Sequence, residues 1–168
     1  MPNECIFSPD RLHRYTLIHR WDEMFNRDHG IAWICLNPST ADEHQLDPTL
    51  RRIRDFSATW GYSYFVMLNL FAWRATQPDE MKAVADPIGP DNDRWIAHWC
   101  SKVDRVMLGW GEHGAHQNRA QQVLAYLDSS KTYCLERNAS GQPKHPLYVA
   151  KRNKPVLFGS GNHTGAIA

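Results

Sequence analysis

Cysteine is scarce in this chain and never grouped: Cys5, Cys35, Cys100 and Cys134 lie far apart, with no C-x-x-C pair and no tight Cys/His cluster. That spacing excludes a disulfide frame and an iron-sulfur or zinc site, and it suits reduced, buried thiols in a cytoplasmic protein. No metal or other cofactor is expected. No apolar run approaches membrane-spanning length, and the N-terminus lacks a charged-then-apolar signal pattern, so a soluble protein without membrane contact is expected. An excess of one charge is missing too, because 19 Lys and Arg stand against 18 Asp and Glu, a net +1. A polyanionic partner would have to be drawn by a local patch. Repeats and low-complexity tracts are absent, and the Pro/Gly-rich interval "ADPIGPDND" at 85–93 is short enough to be a connection within a domain. The expectation is one monomeric domain over residues 1–168.

What is present is an alternation of two periodicities. Short apolar runs of strand length occur at 15–18, 31–36, 63–70, 104–109, 132–135 and 147–149. Helical patterns lie between them. Asp47 is placed to cap a helix with Pro48 at its first position, Leu50, Ile53 and Trp60 on or near one face, and Gly61 at its close. A second helix starts at Asp91 and buries Trp95, Ile96 and Trp99; a third spans 115–128 with Ala120, Val123, Leu124 and Leu127 inward. Continuous apolar strands alternating with amphipathic helices predict a three-layer α/β sandwich around a mainly parallel sheet.

Ligands of open α/β sheets bind outside the carboxyl ends of the strands. Here those ends are polar: Asn37-Pro38-Ser39 after the second run, Asn69 near the end of the third, Trp110-Gly111-Glu112-His113 after the fourth, and Lys144-His145-Pro146 beyond the fifth. The four clusters are predicted to face one rim.

These residues also carry a resemblance. "LNPS" at 36–39, "MLNLFAWRA" at 67–75, "VMLGWGEHGAHQNRA" at 106–120 and "KHPLY" at 144–148 resemble, in the same order, the water-activating loop, the base-reading Asn strand, the Trp-Gly strand end and the His-Pro loop of the uracil-DNA glycosylase superfamily. A longer pattern over about 31–150, "LNPSTAD" through "NLFAWRAT" to "WGEHG" and "HPLY", resembles a bacterial and phage family of unknown function. The glycosylase resemblance implies a uracil-DNA glycosylase-like fold, a flipped pyrimidine as ligand and nucleic acid, above all DNA, as partner. It implies that Asn37 holds the attacking water and that Asn69 reads the Watson-Crick edge of the base. It further implies that His145 donates to the base O2, and that Ser39 with nearby Lys144 holds flanking phosphates.

This chain departs from the glycosylase pattern in two places. No aromatic lies between Pro38 and Phe56 to stack on a base, so Phe71 or Trp73 would have to substitute, with Trp110 and His113 at the next strand end. The wedge that replaces the extruded base falls to Leu147 or Tyr148. An amide at position 37 cannot act as an effective base, and Asp42 is the candidate to supply the missing carboxylate, Asp47 having a sufficient role as a helix cap. Each feature also has a plainer role: Asn-Pro is a common strand-ending turn, and a His beside Pro is a common loop residue bonded to backbone. Arg51, Arg52 and Arg54 read as a solvated helix face, whereas Lys151, Arg152 and Lys154 join Lys144 as candidates for backbone contact. Three functions fit the sequence: a glycosylase-like hydrolase, a non-catalytic reader of modified bases or nucleotides, and an enzyme acting on free nucleotides.

Overall fold

A computed structural model describes residues 3–21, 28–39 and 41–159. Seven strands form one sheet in the order β1-β2-β4-β3-β5-β6-β7: β1 (Glu4–Phe7), β2 (Arg14–Arg20), β3 (Gly30–Cys35), β4 (Tyr64–Asn69), β5 (Val106–Leu108), β6 (Thr132–Cys134) and β7 (Val156–Leu157). The sheet is mixed. The central strands β4, β3, β5 and β6 run parallel, while β1-β2, β2-β4 and β6-β7 pair antiparallel at the two sides. The run at 147–149 is no strand: Pro146–Tyr148 forms a 3-10 turn, as a proline without an N–H dictates, and Tyr148 is exposed. β1 and β7 carry too few buried residues to stand out as strands, with burial alternating in β1 and both β7 residues exposed.

Among the described residues the α-helices are α1 (Pro48–Thr59), α2 (Pro78–Lys82), α3 (Asn92–Lys102) and α4 (Arg119–Leu124). α1 starts as its sequence requires. Asp47 accepts the Leu50 N–H at 2.8 Å and Pro48 takes the first turn, so Leu50, Ile53 and Phe56 go inward with Trp33 and Phe65 of the sheet. On the opposite face, Ile96 and Cys100 of α3 and Ala120 and Val123 of α4 pack on Ile34, Val66, Leu68 and Leu108. Two layers of helices on one sheet give the expected α/β sandwich. Trp95 and Trp99 stay only partly buried because Asn92, Ile96 and Cys100 form the inward stripe of α3. The continuous helix expected over 115–128 is broken: His116 is extended and Gln117 and Asn118 are left-handed, so a 3-10 segment over 112–118 precedes a short α4.

At its end β4 leaves the ladder, and side chains take over its carbonyls. Asn92 Nδ2 donates to Asn69 O at 2.9 Å and to Leu70 O at 3.0 Å, and Arg119 Nε donates to Leu70 O at 2.8 Å while its Nη1 pairs with Asp93 at 2.8 Å. A buried carbonyl without a donor is costly. Asn92→Ala is expected to destabilise the fold by about 2 kcal/mol, because Asn69 O loses its side-chain donor inside the core. Urea unfolding should show a lower midpoint at an unchanged slope; an unchanged midpoint contradicts the role assigned to Asn92.

Candidate functional site

The parallel strands end level with one another. Cys35 is in register with Asn69, and Ile34 with both Leu68 and Leu108, so the loops leaving β3 and β5 start side by side. The backbone continues this alignment beyond the strands: Gly109 N–H donates to Ile34 O at 2.9 Å and Gly111 N–H to Pro143 O at 2.8 Å. The β6 loop closes on the same point, where Lys144 N–H reaches Glu136 O at 2.8 Å. Between these loops lies a cavity of about 650 Å³. Its floor is Arg14, Cys35, Leu50, Met67 and Trp110, all buried, and its mouth includes His113, Leu147 and Tyr148, all exposed.

Seven of the expected site residues line this cavity: Asn37, Ser39, Trp110, His113, Lys144, His145 and Tyr148. Asn69, Phe71, Trp73 and Asp42 do not. Phe71 is fully buried against His116, with ring centroids 5.5 Å apart, and Trp73 stands edge-on to His13 at 5.4 Å. The aromatics that face the cavity are therefore Trp110 and Tyr148. Asn69 is also fully buried, and neither its amide nitrogen nor its amide oxygen has a partner. It lies in register beside Cys35 and on the same face of β4 as Met67, so it is buried next to two floor residues without lining the cavity itself. Asp42 bends back on its own turn, accepting the His44 N–H at 2.9 Å.

The orientation of each polar side chain follows from its partners. Asn37 Nδ2 donates to Ala75 O at 2.9 Å and to Pro38 O at 3.2 Å; carbonyls only accept, so the nitrogen is identified, and among the described residues Oδ1 has no donor. Ser39 donates its hydroxyl hydrogen to Asp47, whose other oxygen caps α1. That leaves Ser39 as an acceptor, which removes the means by which it was expected to hold a phosphate. The carboxylates that share the cavity with Asn37 are Asp47 and Glu112, and Asp42 is not among them.

His145 Nδ1 accepts the Leu147 N–H at 3.2 Å, so the proton of the neutral ring sits on Nε2. Burial holds its pKa below the ordinary value of 6.5, with the charge of Asp47 pulling less strongly the other way. The His-Pro loop is fixed from two sides. A Cβ on Gly109 would lie 3.0 Å from Pro146 Cδ and 3.5 Å from Cys35 Sγ, so any larger residue there would push the His-Pro loop outward by a few tenths of an ångström. Arg52, expected on a solvated face, instead donates to Val149 O and ties α1 to the loop's far side. Cys35 is no nucleophile, since burial drives its thiol pKa far up.

Glu112, in the polar cluster after β5, lines the cavity too, and so do Arg14, Thr49, Thr76, Gln77 and Asn138, for which the sequence pattern gave no expectation. Of these, Arg14 is the only one buried. A charged residue opening an apolar strand is a visible signal, but strict alternation assigns Arg14 to the face of Ile18, away from the floor. A bulge reverses this. The register of β1 on β2 runs Cys5 to Leu17 and Ile6 to Thr16, then skips Tyr15 and pairs Phe7 with Arg14, which turns Arg14 to the cavity side. Among the described residues no group of three or more His, Cys, Asp or Glu is arranged to hold a metal ion, and no helix is long and apolar enough to cross a membrane.

Comparison with known proteins adds a family. The model of the protein family described as "Protein of unknown function (DUF1643)" matches residues 14–147. The chain belongs to that family. The matched segment begins at Arg14 and contains every cavity-lining residue except Tyr148. No curated protein and no solved structure matches the chain.

The state of His145 has a measurable consequence. The unfolded chain takes up a proton near pH 6.5, whereas the folded ring takes one only at lower pH, so acidification favours unfolding. The penalty is absent well above pH 6.5, grows as pH falls from about 6.5 towards the lower folded value, and levels off below it. His19 and His116 are lowered by burial in the same sense, so the difference between wild type and His145→Asn isolates this ring. Between pH 7.5 and pH 5, wild type should lose more unfolding free energy than His145→Asn. Equal losses would place the ring in ordinary solvent.

Proposed function

We propose that the protein is a base glycosylase of nucleic acid that takes a flipped pyrimidine into the cavity between the β3, β5 and β6 loops and hydrolyses its N-glycosidic bond. The observation that carries this reading is one cavity holding a free acceptor and a free donor, each fixed by its own loop: Asn37 Oδ1 and His145 Nε2–H. A volume of about 650 Å³ suits a nucleobase with a water and part of a sugar. Asn37 Oδ1 accepts a hydrogen of the attacking water and aims its lone pair. His145 Nε2–H donates to a base oxygen, where negative charge accumulates as the bond breaks. Asp47 places a fixed negative charge in the cavity, favouring the positive charge that develops on the sugar. Tyr148, about 75% exposed at the mouth and beside His145, is placed to stack on the base or fill the space it leaves.

The same geometry supports a second reading, a reader that binds a modified base without cleaving it. Asn37 is an amide and cannot serve as a base, and each oxygen of Asp47 already accepts a hydrogen bond, from Ser39 and from Leu50, so the β3 loop offers an attacking water no carboxylate oxygen that is not already engaged. Turnover separates the two. The purified protein, incubated with DNA carrying uracil or modified pyrimidines, should release free base and leave abasic sites. Asn37→Ala should slow release by about 10²- to 10³-fold, and His145→Ala by a comparable factor. Asp47→Asn keeps a good helix cap, so it should leave stability within about 0.5 kcal/mol while lowering the rate. Binding of a modified oligonucleotide without base release over long incubation selects the reader; neither binding nor release on a broad panel removes both.

A further inference from the structure

Two arginines are buried among the described residues, and of these two only Arg119 has a counter-ion. Arg119 is 1% exposed and holds Asp93 at 2.8 Å. Arg14 is 2% exposed, yet among the described residues it forms no ion pair. Its Nη1 donates to Ala41 O at 2.8 Å and its Nε has no partner. The nearest negative charge in the cavity, Asp47, has both oxygens committed elsewhere. Burial accordingly lowers the Arg14 pKa to about 10 from its usual 12.5. The charge of Asp47 offsets that burial only in part, a guanidinium stays charged even so at neutral pH, and a buried charge without a direct partner is among the most costly features a fold can carry.

The way Arg14 is placed shows where compensation can enter. The skipped residue Tyr15 turns Arg14 out of the face of Ile18 and into the cavity floor, among Cys35, Leu50 and Met67. Those neighbours are apolar and offer no acceptor, and bulges of this kind re-aim side chains beside binding sites. The planar fork of a guanidinium matches two oxygens of one oxyanion. We propose that the cavity is an oxyanion receptor, in which Arg14 at the floor binds a carboxylate or phosphate group at the inner end of the ligand. The group is either an acidic substituent on a pyrimidine base or the phosphate of a free nucleotide. Arg14 supplies the fork, and the apolar floor excludes the water that would weaken it.

This proposal stands independently of hydrolysis, since it concerns what the floor binds and not what the loops do to it. Binding is measured calorimetrically with two matched pairs, orotate against uracil and dUMP against deoxyuridine, on wild-type protein, Arg14→Met and Arg14→Lys. In at least one pair the anion should bind wild type roughly ten- to a hundredfold more tightly than its neutral partner. Preference within the orotate pair identifies a base-borne anion, and preference within the dUMP pair identifies a nucleotide phosphate. Arg14→Met should abolish the preference while leaving the unliganded protein as stable as wild type or more so, because a buried unpaired charge has gone. If Arg14→Met fails to fold, Arg14→Lys, with charge but no fork, should keep a preference at reduced affinity. Wild-type protein that does not distinguish the members of either pair, a preference that survives in Arg14→Met, or one that Arg14→Lys leaves at wild-type affinity, overturns the proposal. Loss of base release with the preference intact would count against the glycosylase reading alone.

Discussion

The register of the central strands is the constraint on which the site depends. Because Cys35 lies beside Asn69 and Ile34 beside Leu108, the chain leaves β3 and β5 at one height, and every loop that follows must be packed against its neighbours. Continued backbone bonds from Gly109 to Ile34 and from Gly111 to Pro143 carry the alignment three residues past the end of β5. A slip of one residue in any of these pairs would reverse the faces of that strand and send its loop to the wrong layer. The contact of Gly109 with Pro146 then transfers the alignment to His145, over a hundred residues from Asn37 in sequence. No local interaction joins those two loops; the sheet does.

Much of this was legible because it rests on strong periodic signals. The runs that became β2, β3, β4, β5 and β6 are apolar enough to be buried on both faces, and α1 carries its cap, its proline and its stripe in full view. What was hidden depended on exceptions to periodicity. The bulge at Tyr15 moves Arg14 across the sheet, and no alternation pattern records a skipped residue. The left-handed Gln117 and Asn118 cut a helix whose apolar spacing is otherwise continuous. Short edge strands such as β7, with both residues exposed, carry no burial signal at all.

Within the site, polarity at a strand end was a good guide to position and a poor guide to direction. Asn37, Ser39 and His145 all face the cavity, as their places after β3 and in the His-Pro loop required. Asn69 does not: it is fully buried beside Cys35, and the turn after β4 is held by Asn92 and Arg119, which donate to the carbonyls of Asn69 and Leu70. A polar residue at the end of a strand opens to solvent only if nothing packs over the turn that follows. That condition depends on α3 and α4, which lie far downstream and cannot be read from the strand itself.

The polar groups of the cavity share one arrangement, in which each gives half of its hydrogen-bonding capacity to its own loop and keeps the other half. Asn37 gives its nitrogen to carbonyls and keeps its oxygen; His145 gives Nδ1 to Leu147 and keeps Nε2–H; Ser39 gives its hydrogen to Asp47 and keeps its lone pairs; Arg14 gives Nη1 to Ala41 and keeps Nε. The bond that is made fixes the direction of the group that is not. Rotamer entropy is therefore already lost in the folded chain, and a ligand meets donors and acceptors that need no further ordering. The cost falls on folding stability, most heavily at Arg14, where a charge is held out of water. A cavity assembled in this way is stable only because the surrounding sheet is apolar and deep enough to bear that cost, which ties the unusual polarity of one rim to the unbroken hydrophobicity of the strands beneath it.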